Sequence, residues 1–330
     1  MAKFMLRRFV NYFVLVFIAT SLAYILASVS LDPKSNYTTR AKPPSAEVIS
    51  EKLDSINANP DTPVLDRYGT WLGDIFHGNL GKEVQGGSVN DDVGRRLWVS
   101  GQLLLIGTIL GSVVGIAIGA WSAVRQYSWV DHFFTASSFV ILAVPTFVLA
   151  ITTELLATHI NQWTGHPQLI EYTGQFDPAI NGGFWPHLAN RLRHLLLPTI
   201  TLVIGGAAYI SRYQRNSMLD VLGSDYVRTA RAKGLRRRAA LTRHALRTAL
   251  IPSITIFVYS FALIFVGATF TEIIFGWHGM GELLVTSIQS NDTNAVAAVT
   301  LFVAVLVLLA GMIQDFVIAL LDPRVRVGAI

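Results

Sequence analysis

Six long apolar runs, none carrying a charged side chain, alternate with polar segments along the chain: 10–29, 98–124, 133–153, 195–211, 250–271 and 295–314. At about 1.5 Å per helical residue, such runs suit a hydrocarbon layer of roughly 30 Å. Lipid offers no partner to backbone N–H and C=O groups, so the runs are expected to be helices. The shortest is 195–211, and Pro198 near its start fits a first helical turn, where a missing N–H costs little. The pattern predicts an all-α integral membrane protein of six transmembrane helices.

The polar segments divide by charge. Lys3, Arg7 and Arg8 precede the first run, and Arg125 separates the second from the third. Ten basic residues between Arg212 and Arg247, against Asp220 and Asp225, separate the fourth from the fifth, and Arg324 and Arg326 follow the sixth. In the alternate segments, 32–97, 159–194 and 272–294, acids match or outnumber bases. The positive-inside rule therefore predicts that both termini are cytoplasmic. The first run reads as an uncleaved span, because it is long and no small-x-small cleavage pattern follows Leu31.

Composition narrows the function. With 52% hydrophobic and 14% charged residues the chain is too apolar for an ordinary soluble domain. The absence of cysteine excludes disulfides and thiolate metal sites. The net charge of +5 falls beside apolar runs, where topology places it, which argues against nucleic acid as a partner. No phosphate-binding glycine-rich loop, H-E-x-x-H or G-x-S-x-G string occurs, and the eight histidines are scattered, with His244 read as a polar surface group. Glu154 and Glu272 at outer ends and Asp315 toward an inner end are the acids near the runs, and none lies at mid-bilayer, which weakens an ion-coupled reading. The nearest approach to a catalytic cluster is Glu272, His278 and Glu282, the basis of a membrane-enzyme alternative.

Four further features are readable. Segment 32–97 carries Pro33, Pro43, Pro44, Pro60 and Pro63, then DRYGTWLGDIFHGNLG at 66–81, where an amphipathic helix at the outer membrane surface fits. It is either a tether or a small subdomain. Gly107, Gly111, Gly115 and Gly119 recur every four residues, forming a smooth stripe for close helix packing, with static contact the simpler reading and a gating surface the alternative. Thr201, Ser260, Gly267 and Thr269 offer small or hydroxyl groups for an aqueous pathway, or equally for helix contacts. Finally, 224–249 has no proline and one glycine, so the basic loop reads as helical, suited to docking on a partner or lying on anionic lipid.

The strings DYVRTARAKGL at 225–235 and RHALRTALIP at 243–252 resemble the coupling loop of permease subunits in ATP-binding-cassette importers of the oligopeptide, dipeptide and nickel group. GATFTEIIFGWHGMGELL at 267–284 and LDPRVR at 321–326, with the N-terminal LRRF and the long first outer loop, are similar to the B-type member of the peptide permease pair. The resemblance implies the type I importer permease fold in a bacterial inner membrane. It implies a cytoplasmic N-terminus and first span at 1–31, an extracytoplasmic insert at 32–97, a five-span core at 98–321 with a coupling loop at 212–249, and a cytoplasmic tail at 322–330.

The implied partners are a second permease, two cassette ATPases that bind ATP and Mg, an extracytoplasmic binding protein and membrane lipid, with no cofactor in this chain. Tyr226 and Leu235 would be apolar anchors on the ATPase. Arg228, Arg231 and Lys233 would be rim charges, with Thr229 and Ala230 between them, and Gly234 would end the helix. The family's string around Glu272, His278 and Glu282 implies a structural reentrant turn. Peptide is the expected substrate; nickel chelate, glutathione or haem in the same family, or a self-sufficient secondary transporter, are the alternatives. Departures are Arg228-Thr229-Ala230 where many importers have Glu-Ala-Ala, Ile251-Pro252 in place of the later Leu-Pro, and Leu31-Asp32-Pro33 after the first span.

Overall fold

The computed structural model describes residues 2–321, excepting the side chains of 2–4, 237–238, 243–244, 258–267 and 319–321. The expected tail at 322–330 lies outside the described residues, as does most of the LDPRVR string. In chain order the helices are α1 (Ala2–Ser30), α2 (Ser35–Thr38), α3 (Ala46–Asp54), α4 (Val64–Phe76), α5 (Val89–Val124), α6 (Trp129–Ala143) and α7 (Thr146–Thr164). There follow α8 (Phe184–Leu222), α9 (Asp225–Ala232), α10 (Arg237–Ala240), a π-helical turn at Leu241–Ala245, α11 (Leu246–Ile274), α12 (Met280–Gln289) and α13 (Thr293–Leu321). Among the described residues the strand-like pairing is one isolated bridge, Lys82 to Ser88.

Among the described residues four helices, α1, α5, α8 and α13, are long and apolar enough to cross a membrane, or five if the bent pair α6 and α7 is one broken span. The run 133–153 is not one helix. It divides between α6 and α7, bent by 108° at Val144-Pro145. The cause is local: Pro145 has no N–H for the ladder, and its ring drives Val144 to extended backbone at φ −90°, ψ 126°. Nor does Pro198 open a helix. It lies inside α8, which begins at Phe184. The apolar window alone marked the start too late, because the amphipathic turns before it continue the same helix. The run 250–271 lies within α11.

The described chain forms two compact units, one of residues 2–5, 102–277 and 310–321, the other of 6–101 and 278–309. In the first, α8 packs against α6, α7 and α11. The glycine stripe of α5 also faces α8, and its four positions are unequal. A Cβ added at Gly119 would lie 2.4 Å from the Ser211 carbonyl oxygen and 2.8 Å from Gln214 Cβ, and at Gly115 it would lie 2.8 Å from Ile210 Cβ. At Gly107 the nearest atoms belong to the flexible Leu202 side chain, 3.1 Å away, and at Gly111 nothing is nearer than 3.6 Å.

In the second unit the insert is folded. Tyr37, Ile49, Leu53, Ala58 and Val84 form a small buried cluster. On α4, Trp71 stacks on Tyr24 of α1 at 4.5 Å between ring centroids, with Ala297 beside them. Arg67 is buried, its Nη2 donating to the Ser28 carbonyl at 3.2 Å and its Nε to the Thr62 carbonyl at 3.1 Å. The turn from α12 to α13 ties the insert down. Asn291, in the left-handed conformation at φ 51°, accepts from the Asp32 N–H at 3.1 Å. Asp292 accepts from the N–H groups of Val84 at 2.7 Å and Ala295 at 3.0 Å. Asn294 Nδ2 donates to the carbonyls of Ile56 at 2.8 Å and Lys82 at 3.0 Å.

Two predictions follow from this packing. Gly119→Ala forces backbone apart and is expected to cost about 1–3 kcal/mol, whereas Gly111→Ala finds room; thermal unfolding in detergent should show a clear fall in midpoint for the first and almost none for the second. Burial raises the pKa of Asp292 against its backbone donors, and burial with the Asp292 charge raises that of Glu83. A carboxyl raised in the folded state contributes stability below its unfolded pKa that is lost as pH rises through the folded value. The Val84 amide, corrected for intrinsic exchange, should therefore be better protected from hydrogen exchange in mild acid than at neutral pH. Asp292→Asn, which puts an amide NH2 where an acceptor stood, should speed that exchange roughly tenfold, about 1.4 kcal/mol.

Candidate functional site

The basic segment after α8 is built on a short amphipathic helix. Ser224 is extended at φ −71°, ψ 149° and opens α9, with Asp225 in the first turn and Arg231 in the last, charges that suit the helix dipole. Gly234 follows at φ +88°. The Leu235 N–H donates to the Ala230 carbonyl at 3.3 Å and the Gly234 N–H to the Arg231 carbonyl at 3.0 Å, the paired bonds of a left-handed glycine cap. A residue with a Cβ would have open space there but would strain the backbone.

Period 3.6 then sorts the predicted residues. Val227 is 3% exposed and packs with Ala123, Met218, Ala245 and Ala249, and Ala230 is 8% exposed. Tyr226 is 44% exposed, and Arg228, Thr229, Lys233 and Gly234 are exposed with it, while Leu235 is half-buried. Ala230 thus faces the chain's own interior, and the outward face is Tyr226, Arg228, Thr229 and Lys233.

The end of α8 that carries this helix is anchored by an ion pair between a buried carboxylate and a half-buried guanidinium. Asp131, 3% exposed in the first turn of α6, accepts from Arg215 Nε at 2.6 Å and Nη2 at 2.8 Å. It also accepts from the Tyr127 N–H at 3.0 Å and from the Ser122 hydroxyl. Gln214, fully buried, accepts from Ser253 Oγ of α11 at 2.6 Å. The partners are distant in sequence and sit in polar loops or at run ends, so no local spacing marks them. The one available signal was an Asp in a short loop where a basic residue suffices for topology.

Of the pathway candidates, Thr201 is buried and shares a hydrogen bond with Thr153 Oγ1 of α7 at 2.8 Å, and Thr269 is buried on α11. In this single chain Thr201 lies at a helix contact. The side chain of Ser260 and the surroundings of Gly267 lie outside the described residues. At the reentrant string, Phe275 and Trp277 are fully buried and Gly276 adopts φ 63° to close α11. Glu272 is buried on α11, and His278 Nδ1 pairs with Glu282 at 2.9 Å on the next element. No group of three metal-ligating side chains occurs among the described residues.

Comparison with known proteins gives this arrangement its context. Residues 115–327 match the model of the family described as binding-protein-dependent transport system inner membrane component. The oligopeptide transport system permease protein OppB of Mycobacterium tuberculosis is 47% identical over 328 residues, covering 99% of this chain and 100% of that protein. The oligopeptide transport system permease protein AppB of Bacillus subtilis is 35% identical, covering 80% and 81% respectively. The probable D,D-dipeptide transport system permease protein DdpB of Escherichia coli is 32% identical, covering 81% and 82%. With a family match over more than half its length and full-length likeness to one such permease, the chain belongs to the family of binding-protein-dependent transport system inner membrane components.

Proposed function

We propose that the protein is the permease subunit of an ATP-driven peptide importer in a bacterial inner membrane. It forms the translocation pathway with a second, similar permease and rests on two cassette ATPases that hold ATP and Mg. It receives peptide from an extracytoplasmic binding protein. The observation that carries this reading is the 47% identity to an oligopeptide permease along essentially the whole chain. Both termini are assigned to the cytoplasm on the distribution of basic residues, which puts α9 on the ATPase side.

In this scheme α9 is the coupling helix. Its outward face, Tyr226 with Arg228, Thr229 and Lys233, supplies one aromatic anchor within a ring of polar groups, an arrangement suited to a protein cleft. On its inward face Val227 packs against the ends of α5, α8 and α11, so a push on α9 would be delivered to three long helices at once. Closure of the ATPase dimer would then shift those helices as a body and alternate access to the pathway. No charge is needed at mid-bilayer if peptide capture is the work of the binding protein. The glycine stripe is assigned to static packing, since the tight contacts at Gly115 and Gly119 oppose sliding.

The test is to extract the tagged chain from its membrane in mild detergent, identify what accompanies it by mass spectrometry, and measure peptide uptake in the same cells. A cassette ATPase and a second permease are expected; the chain alone would overturn the reading. Tyr226→Ala with Arg228→Glu should reduce ATPase recovery and uptake by tenfold or more while the amount of permease in the membrane is unchanged. Arg215→Ala should behave differently. It strands the Asp131 carboxylate in a buried site at a cost of about 3–5 kcal/mol, so the amount of protein and its unfolding midpoint should fall together.

A further inference from the structure

Where the apolar stretch of α8 ends, a cavity of about 150 Å³ lies between α5, α6 and α8. Arg212 is the first charged residue after 195–211, and Asp131 and His132 precede the apolar run that opens at Phe133. Both helices therefore place the cavity at the level where hydrocarbon gives way to lipid headgroups. Its volume is several times the roughly 30 Å³ that one water takes in the liquid and falls below the ~300 Å³ at which small-molecule sites begin. A single tetrahedral anion suits that space.

The polar groups left over in its wall are donors. Asp131 takes Nε and Nη2 of Arg215, which neutralises that pair and leaves the Arg215 Nη1, which is not buried, without a hydrogen bond among the described residues. Arg212 is exposed, its guanidinium 4.2 Å from the centroid of the Phe139 ring. Among the described residues none of its N–H groups is hydrogen-bonded and no carboxylate pairs with it, and the Asn216 amide is unbonded as well. The hydroxyls are already engaged: Ser138 Oγ donates to the Phe134 carbonyl at 2.8 Å and shares a bond with Ser211 Oγ at 3.1 Å, and Thr135 Oγ1 donates to Asp131 at 3.4 Å.

The stacking on Phe139 is the second observation that points to an anion. A ring against the flat face of a guanidinium holds it in place while leaving its edge free. That edge matches a pair of phosphate oxygens in two parallel hydrogen bonds. The charges also close, because Asp131 cancels Arg215 and leaves the single positive charge of Arg212 for the single negative charge of a phosphodiester. On the hydrocarbon side, Phe133, Phe139 and Val140 of α6 are exposed and give acyl chains an apolar surface. Basic pockets between membrane helices at the cytoplasmic surface are suited to anionic headgroups.

We propose that this cavity binds the phosphate of an anionic phospholipid, with the edge of Arg212, Arg215 Nη1 and Asn216 Nδ2 donating to its oxygens and Phe139 lying beside the acyl chains. The lipid would then join α6 to α8 next to the Asp131–Arg215 pair. The inference goes beyond the importer reading and takes from it only the side: with the basic loop in the cytoplasm, the lipid belongs to the inner leaflet. Inorganic phosphate presents the same chemistry without the acyl chains.

The test is native mass spectrometry of the assembled transporter, delipidated in mild detergent and titrated with dioleoyl phosphatidylglycerol or dioleoyl phosphatidylcholine. Phosphatidylglycerol should be retained at least tenfold better, and Arg212→Gln should abolish the preference; Phe139→Leu, expected to lower it severalfold, is a second variant should the first fail to assemble. Equal retention of the two lipids, or a preference unchanged in both variants, overturns the site. Displacement of phosphatidylglycerol by an equal concentration of inorganic phosphate overturns the lipid as occupant in favour of the free anion. Loss of the second permease instead of lipid in Arg212→Gln also overturns it, giving the guanidinium an acidic partner on that chain. The side is read independently by Asp220→Cys, at an exposed position of a chain without cysteine. Labelling by an impermeant maleimide in inverted vesicles alone supports the inner leaflet, whereas labelling in intact spheroplasts overturns the leaflet and the topology while leaving lipid retention as it was.

Discussion

The close approach of α5 to α8 at Gly119 is the constraint on which the α9 end of the molecule depends. The position one Cβ would occupy is already within 2.4 Å of a backbone oxygen of α8, so only glycine allows the contact. In lipid the burial of apolar surface between helices gives little net drive, and such van der Waals contact is what holds them. The same approach brings Ser122, one turn further along α5, to the Asp131 carboxylate that Arg215 of α8 grips with two hydrogen bonds. A buried pair of this kind gains little over an apolar replacement, but it fixes which turn of α8 meets which loop. Met218 and Leu222, the next inward positions of α8, then form the seat of Val227 on α9. The seat matters to α9 because a helix of eight residues has little stability of its own.

The insert after the first helix obeys a different rule. Its cluster of five buried residues is too small to stand alone. It is completed by backbone and side-chain bonds to the turn at Asn291, Asp292 and Asn294, residues that belong to the chain far downstream. Asp292 serves at once as helix cap and as acceptor for the insert, which is why it stays buried against the desolvation cost of a carboxyl. Trp71 packs on Tyr24, and Arg67 is buried beside them.

Hydropathy by itself determined that the chain is an all-helical membrane protein and approximately where its apolar helices run; the absence of proline from 224–249 made the basic loop read as helical, and the motif likeness implied its end at Gly234. These follow from local rules: apolar length against bilayer thickness, dihedral freedom of glycine, and charge near apolar runs. Motif likeness added the family. Tertiary structure decided what those rules do not reach. Pro145 broke one apolar run into two helices at 108° while Pro198 sat inside another, although both are prolines in apolar runs. Asp131 with Arg215, Glu171 with His194, and Asp292 with Val84 join residues tens to hundreds of positions apart. Each partner alone is an ordinary residue of a polar segment. Only the folded chain brings the two together, because pairing across helices depends on register and rotation, which no single helix's sequence specifies.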